Sequence, residues 1–485
     1  MKKINIPNWA VYGILFLAAF LFVFFFSCTT SPLYEHHPFW FHGDSGIFQE
    51  MGVCLVQGGT PYVDLFDHKG SVLWFIQALG IIVSPRLGIM LLQTLFLSVT
   101  LILWYKSIYI LTQRQIPSLL ISFLGLFFLM AFYQRGNLCE EWSLPFISLP
   151  IFIYTNRWKT KSSYKHIDCF VIGLCVGMLA MIRLNNTAPI IGFVLWHFIY
   201  CIKATEYKRL WTDIALICCG IVLIITVCAL FYLIKAGWSG VYEMLYGTFI
   251  FNFLYFGGKN QLPFISLLQH YIIPIAFLFI ASILLFYSKG KSGLCIPCII
   301  SYVVTLFAIG SFEFWHYTMV FIPLFVITAG ISFQGINILD IILLASVIVF
   351  SGFIGYDAAD VLLFRLRGKT AKTEINDGFH RFVSTLPSNE HRSIYNAGLN
   401  HMGAGLFADE NIYQCNRIIY KSHTDISKRL QDYETTHGIK EIRPIWILTQ
   451  SPRPEASDDY MAHNYTLADS IPGGEFDPIW CWKRK

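Results

Sequence analysis

Apolar runs about 20 residues long recur along most of this chain and leave it few options, because a backbone in hydrocarbon must satisfy its polar groups internally. The first, Trp9 to Cys28, follows Lys2 and Lys3. Others cover Leu87 to Tyr105, Ile116 to Tyr133, Ser143 to Tyr154, Cys169 to Ile182, Thr187 to Ile202, Ile214 to Ile234, Ser266 to Tyr287, Leu294 to Ile309, Thr318 to Ile331 and Leu339 to Tyr356. The 485 residues are 55% hydrophobic and only 13% charged, well below the roughly 25% of soluble domains, so these runs read as membrane spans. The first has the length of a span rather than of a signal-peptide core, and Ser27-Cys28-Thr29-Thr30 offers only a loose cleavage site. Val72 to Val83 is too short to cross and is closed by Ser84-Pro85-Arg86, which predicts a re-entrant or juxtamembrane helix.

Charge supplies the sidedness. Lys106 and Arg114, Arg157 to Lys165, Lys203 to Arg209, and Lys289 with Lys291 all fall on one side only if Val72 to Val83 does not span. The expected fold is therefore an all-α polytopic membrane protein with about eleven spans plus the short helix, and with a cytoplasmic N-terminus. Residues 31–83, 134–142, 183–186, 237–263 and 311–317 then face outside. After Tyr356 a polar tail carries strand-like runs at Ser393–Leu399, Pro444–Thr449 and Ile479–Trp482 and a helical charge pattern from Ser427 to Tyr433. It reads as a small external α/β domain, 357–485, joined to a membrane domain, 1–356, whose first external loop is 29–83. The net charge of +5 is scattered over cytoplasmic turns rather than gathered on one groove, which excludes nucleic acid as a partner. Cys295 and Cys298 lie in an apolar run and read as core residues.

The first loop packs Asp44, Glu50, Asp64, Asp67, His68 and Lys69 between two apolar stretches. Ionisable groups beside a bilayer are costly unless paired or set in a wet cavity, which makes this cluster a functional candidate. Asp44 stands where a helix begins, as a cap worth about 1 kcal/mol or as a general base fixed at a rigid boundary. Asp67, His68 and Lys69 immediately precede the short helix, and Lys69 is placed either to snorkel or to meet a phosphate. In the second loop Arg135, Glu140 and Glu141 suit a helix start, a polar site or a divalent cation, although no ligand spacing specifies a metal. Glu313 and His316 lie between aromatic residues, as an interfacial belt or part of a site.

The order of these motifs carries a resemblance. A first span, then Gly43-Asp44-Ser45-Gly46, then G-G-T-P-Y-x-D-x-x-D-H-K-G from Gly58 to Gly70, then a short apolar helix, then G-N-x-x-E-E from Gly136 to Glu141, resembles the bacterial GT-C glycosyltransferases. Related families are the protein O-mannosyltransferases and the lipid A aminoarabinose transferases. The resemblance covers Trp9 to Tyr356. It implies an inverting transfer, at the external face of the inner membrane, of a sugar from a polyprenyl-phosphate donor to a lipid, glycan or protein acceptor. Within it Asp44 is the catalytic acid residue of the first loop. Lys69 contacts the carrier phosphate, and Glu140 or Glu141 is the acid of the second loop; the reading of the loops themselves adds Asp67, His68, Arg135 and His316 as substrate-binding candidates. Two departures stand out. Ser71 follows D-H-K-G where proline is expected, and the second loop has no D-x-D, which sets the chain apart from metal-dependent oligosaccharyltransferases. A surface-polysaccharide ligase or polymerase, or a lipid or sugar transporter, is the alternative.

Overall fold

The computed structural model describes residues 6–34, 43–162, 164–258, 271–287, 292–309, 314–332, 374–399, 403–420, 422–452, 459–473 and 477–485. The run Leu339 to Tyr356, the junction at 356/357 and Glu313 lie outside them. Helices dominate: α1 Asn8–Phe26, α2 Gly43–Val56, α3 Ser71–Val83, α4 Leu87–Thr112, α5 Gln115–Phe132, α6 Cys139–Thr160, α7 His166–Ala180, α8 Ala188–Lys203, α9 Tyr207–Leu245, α10 Phe251–Gly258, α11 Ile272–Tyr287, α12 Ser292–Ile309 and α13 Ile322–Ser332. Among the described residues, six helices are long and apolar enough to cross a membrane: Asn8–Phe26, Leu87–Thr112, Gln115–Phe132, Tyr207–Tyr255, Ser292–Ile309 and Trp315–Ser332. α6 exceeds the apolar run Ser143 to Tyr154 at both ends, because Glu140 and Glu141 extend its first turn and Arg157 and Lys159 its last, where they complement the helix dipole.

Two layers of contacts define the ends of the bundle. At one end the Ile6 amide donates to Gln115 Oε1 (2.7 Å), which ties the start of α1 to the start of α5. At the other, the Cys28 amide donates to the Arg135 carbonyl (3.0 Å), joining the end of α1 to the loop that opens α6. α3 belongs wholly to this second end. Its first residues are held by Gly70 and Val72 amides donating to the Ile182 and Met181 carbonyls (both 2.9 Å). Past its last turn, Arg86 donates to the carbonyls of Cys28, Thr29 and Ser31 (3.2–3.3 Å). Thirteen residues give about 20 Å of helix against about 30 Å of hydrocarbon. The basic turns at Arg114, Arg157 to Lys165 and Lys203 to Arg209 all sit at the opposite end, where α4, α6 and α8 finish.

The run 237–263, expected as an external loop, is helical through its described part. Left-handed Gly237 (φ +65°) breaks α9, a π-turn spans Tyr246–Ile250, and α10 follows. One face of this arm packs inward, with Tyr246, Thr248 and Phe251 buried, while Trp238, Tyr242, Ile250 and Phe253 stay exposed on the other.

The tail holds a four-stranded sheet in the order β1-β2-β4-β3, from β1 Ile394–Asn396, β2 Trp446–Thr449, β3 Tyr465–Ile471 and β4 Ile479–Arg484. β1 and β2 are parallel, and the other pairs are antiparallel. Helix Lys428–Thr436 replaces the expected run Ser427 to Tyr433 with Ser427 as its N-cap, its hydroxyl accepting from the Leu430 amide. β3 was not readable as a strand, because as an edge it exposes five of seven residues and lacks apolar alternation. Apolar side chains on the two faces of the sheet form separate small cores. Ala404, Ile418, Ile419 and Leu430, by contrast, join the core of the helical bundle. The helix Ala404–Asp409 lies so close to α2 that a Cβ on Gly46 would stand 2.7 Å from the Gly405 nitrogen.

Candidate active site

The segment Gly58 to Gly70 is a rigid turn rather than a solvated loop. Left-handed Gly58 (φ +87°) ends α2, and the Asp64 carboxylate accepts the Thr60 amide (2.6 Å) to close the next bend. Tyr62, itself at φ +67°, donates its buried hydroxyl to the Lys69 carbonyl (2.5 Å). Asp67 Oδ2 accepts the Lys69 amide (3.1 Å). Gly70 has no room for a side chain, since a Cβ would sit 2.1 Å from the Met181 carbonyl oxygen. The glycine of D-H-K-G thus lets the chain press against the α7 terminus, and Lys69 is aimed by that contact. On the far flank Asn252, just after the π-turn, donates to the His68 carbonyl (2.8 Å).

These constraints open a cavity of about 320 Å³ whose walls include Asp44, Asp67, His68, Lys69 and His316. Asp44 lies in the first turn of α2. Lys69 is buried, with its ammonium 3.1 Å from His68 Nε2 and 5.7 Å from the Phe48 ring centre. The His68 ring stacks on Tyr255 (4.7 Å), and its Nδ1 lies 3.1 Å from His423 Nε2 and 3.4 Å from Asp67 Oδ1. His316 Nδ1 meets Gln134 Oε1 at 2.6 Å. Burial works against the Lys69 charge, but Asp67 and Asp44 outweigh it and push the ammonium up to about 12. Burial likewise raises Asp44 and Asp67, and Lys69 nonetheless holds both carboxyls below their usual range. Burial and the Lys69 charge keep His68 neutral, and burial with His68 brings His423 down to about 3. Because a charged Lys69 can only donate, His68 Nε2 must accept, which puts the imidazole proton on Nδ1.

That tautomer bears on metal binding. Asp67, His68 and His423 offer three donor atoms within 4.8 Å of one another. A cation on His68 Nδ1 needs the proton on Nε2, the atom at which the Lys69 ammonium points, so these residues do not fit a metal while Lys69 is charged.

The remaining sequence candidates divide. Glu140 forms a buried ion pair with Arg183 and comes within 3.9 Å of His316, just behind the cavity wall. Glu141 does not reach the cavity. Its oxygens accept from the Tyr133 hydroxyl (2.7 Å), the Asn137 amide (2.8 Å) and Gln93 (3.0 Å), so it locks the second loop onto α4. Arg135 is not brought to the cavity either; it sits left-handed (φ +75°) beside Cys28. Sequence reasoning singled out neither Tyr255, Tyr317, Tyr420 and Gln134, which line the cavity, nor His423 behind it. Arg183, which pairs with Glu140, stacks 3.7 Å above the Tyr317 ring centre. A lone His in a tail hundreds of residues away gives no local signal.

No protein-family model matches the chain, and neither does any curated protein sequence. Solved structures do match in fold. ArnT from Cupriavidus metallidurans bound to undecaprenyl phosphate superposes with a TM-score of 0.60 at 13% identity over 98% of both chains. The archaeal oligosaccharyltransferase AglB from Archaeoglobus fulgidus, in complex with an inhibitory peptide and a dolichol-phosphate, gives 0.54 at 10% identity over 91% of this chain and 69% of that one. Both are GT-C glycosyltransferases, and ArnT is a lipid A aminoarabinose transferase. The chain has the GT-C fold, with ArnT alike along its whole length.

Proposed function

We propose that this protein is an integral-membrane inverting glycosyltransferase, which takes a sugar from a polyprenyl-phosphate donor and passes it to a lipid, glycan or protein acceptor on the external face of the inner membrane. One observation carries the reading: the Asp44 carboxylate and the buried Lys69 ammonium line a single cavity at the end of the bundle where α3 lies. The fold shared with ArnT and AglB supports it.

Asp44 is ionised, and so able to take the proton of an acceptor hydroxyl as that oxygen attacks the anomeric carbon. The bond from that carbon to the phosphate oxygen breaks, and its electron pair leaves on the carrier phosphate. Lys69 meets that charge, so the leaving group needs no acid. Glycosidases differ in pairing a protonated carboxyl with a second carboxylate. His68 and His423 are neutral and hold the Lys69 turn without adding charge. The Asp67 carboxylate keeps Lys69 protonated, and Glu140 does the same for Arg183 one layer out.

Membranes carrying the protein are incubated with radiolabelled sugars on polyprenyl monophosphate or polyprenyl diphosphate, and transfer to extracted lipid, glycan and protein is counted. Label moving from a monophosphate donor, with the anomeric configuration inverted, is expected. Transfer only from diphosphate donors would turn the reading toward a polysaccharide ligase, and no transfer from either would end it.

A further inference from the structure

At the end of the bundle opposite that cavity, three helix termini converge on a cluster the proposed reaction does not use. α7 presents His166 and Cys169, three residues apart and therefore on one face; α8 presents His197; α9 presents Asp213. His166 Nδ1 lies 3.2 Å from Asp213 Oδ1, and His197 Nε2 lies 2.9 Å from Asp213 Oδ2. The Cys169 thiol hydrogen bonds to the same carboxylate. Cys169 Sγ, a ring nitrogen of His197 and an Asp213 oxygen all fall within 4.8 Å of one another. Cys169 and Asp213 are fully buried and His197 is 6% exposed, whereas the His166 ring is open to solvent.

From this convergence we propose a structural zinc site formed by His166, Cys169, His197 and Asp213. Donors at about 2.0–2.3 Å from one tetrahedral ion stand about 3.3–3.8 Å apart; those of Cys169, His197 and Asp213 lie within 4.8 Å of one another, and the exposed His166 ring, which now meets the other Asp213 oxygen, turns in to complete the four. A thiol, two imidazoles and a carboxylate are ligands that suit zinc, whereas calcium and magnesium favour oxygen alone. Binding displaces the thiol proton to solvent and shifts the imidazole protons that now face Asp213 to the other ring nitrogens, and the thiolate with the carboxylate then balances the two charges of the ion. Arg209, 3.4 Å from Asp213 Oδ2 and 3.3 Å from Glu206, is placed to orient the carboxylate from behind. The exposed His166 ring gives the ion a way in. The competing reading, a hydrogen-bonded knot that ties α7, α8 and α9 without an ion, predicts no metal and no thiolate.

The full chain is purified in detergent without added metal and its zinc counted by mass spectrometry. It is then stripped with chelator and reloaded with Co²⁺, whose thiolate charge-transfer absorption reports sulfur ligation; the Asp67, His68 and His423 set has no sulfur to give it. We expect about one zinc per chain, a thiolate band on cobalt loading, loss of that band in Cys169→Ser, and retention about tenfold weaker or worse in His197→Gln. Cys295→Ser should leave both signals as they are. Zinc at background in the unsubstituted protein, or a cobalt spectrum that Cys169→Ser does not change, would overturn the site and leave the knot. Because metal content and the cobalt band are read without sugar transfer, the outcome does not depend on the proposed activity.

Discussion

The two loops that bracket the cavity have similar sequences and opposite fates. The first offers Asp67, His68 and Lys69 just before α3, the second Arg135 before α6 with Glu140 and Glu141 in its first turn, so each sets acids and bases at a helix start. In the first, the fixing falls on the backbone of the run: the Tyr62 hydroxyl, the Asn252 side-chain amide and the Gly70 contact hold the main chain and leave the side chains to face the cavity. In the second, the side chains are themselves the fixings, with Glu141 bound to three partners and Glu140 to Arg183. Charge in a loop is available for chemistry only when something else holds the loop.

The largest effect that could break this contrast is at Asp44. Asp44→Asn keeps the volume and removes the base, so turnover should fall about 10²- to 10⁴-fold with little change in melting temperature. More than half of the activity surviving would reduce Asp44 to a helix-end residue. Lys69→Ala should weaken donor binding about 10- to 100-fold, taking about 1.5–3 kcal/mol for a hydrogen bond to a charged group, and leave the acceptor constant nearly unchanged. A raised acceptor constant with an unaltered donor constant would reverse the assignment. Glu141→Ala should show the opposite profile. Stranding the Tyr133, Gln93 and Asn137 donors costs about 1–3 kcal/mol of stability, seen in thermal unfolding, while turnover per folded molecule stays within about twofold.

The most local effect concerns the join between the first loop and the tail. Glu50 accepts the Gln414 amide (2.9 Å) in a fully buried setting, and burial raises its carboxyl from 4.5 to about 8. A raised carboxyl means the folded state binds a proton that the unfolded chain has already released. The stability it lends is therefore whole below about pH 4.5, declines as pH rises through about 8, and is gone above that. Hydrogen exchange at the Gln414 amide, corrected for intrinsic rates, should show protection falling over that window in the unsubstituted protein and flat in Glu50→Gln.

How much of this was legible beforehand follows the range of each interaction. Apolar period and length are local, so the runs from Trp9 to Ile331 gave their helices, and a short run at Val72 to Val83 already spoke against crossing. The turn signals around Gly58, Pro61 and Gly70 are local too, and with them the cluster at Asp67, His68 and Lys69. Nothing local separates Glu140 from Glu141, because which neighbour faces inward depends on the direction in which α6 starts. Arg183, Tyr255 and His423 come together only when α7, α10 and the tail fold against the first loop. The helical arm after Gly237 was hidden because its aromatic residues suit a loop at the membrane surface equally well.

The pairing of His68 with His423 spans 355 residues, and this has a consequence in time. A ribosome delivers the chain from its first residue onward, so the Lys69 turn is made and inserted long before Tyr420 and His423 exist to wall it in. A nascent protein therefore carries the cavity without its Tyr420 wall through the whole of its insertion, until synthesis has passed the tail.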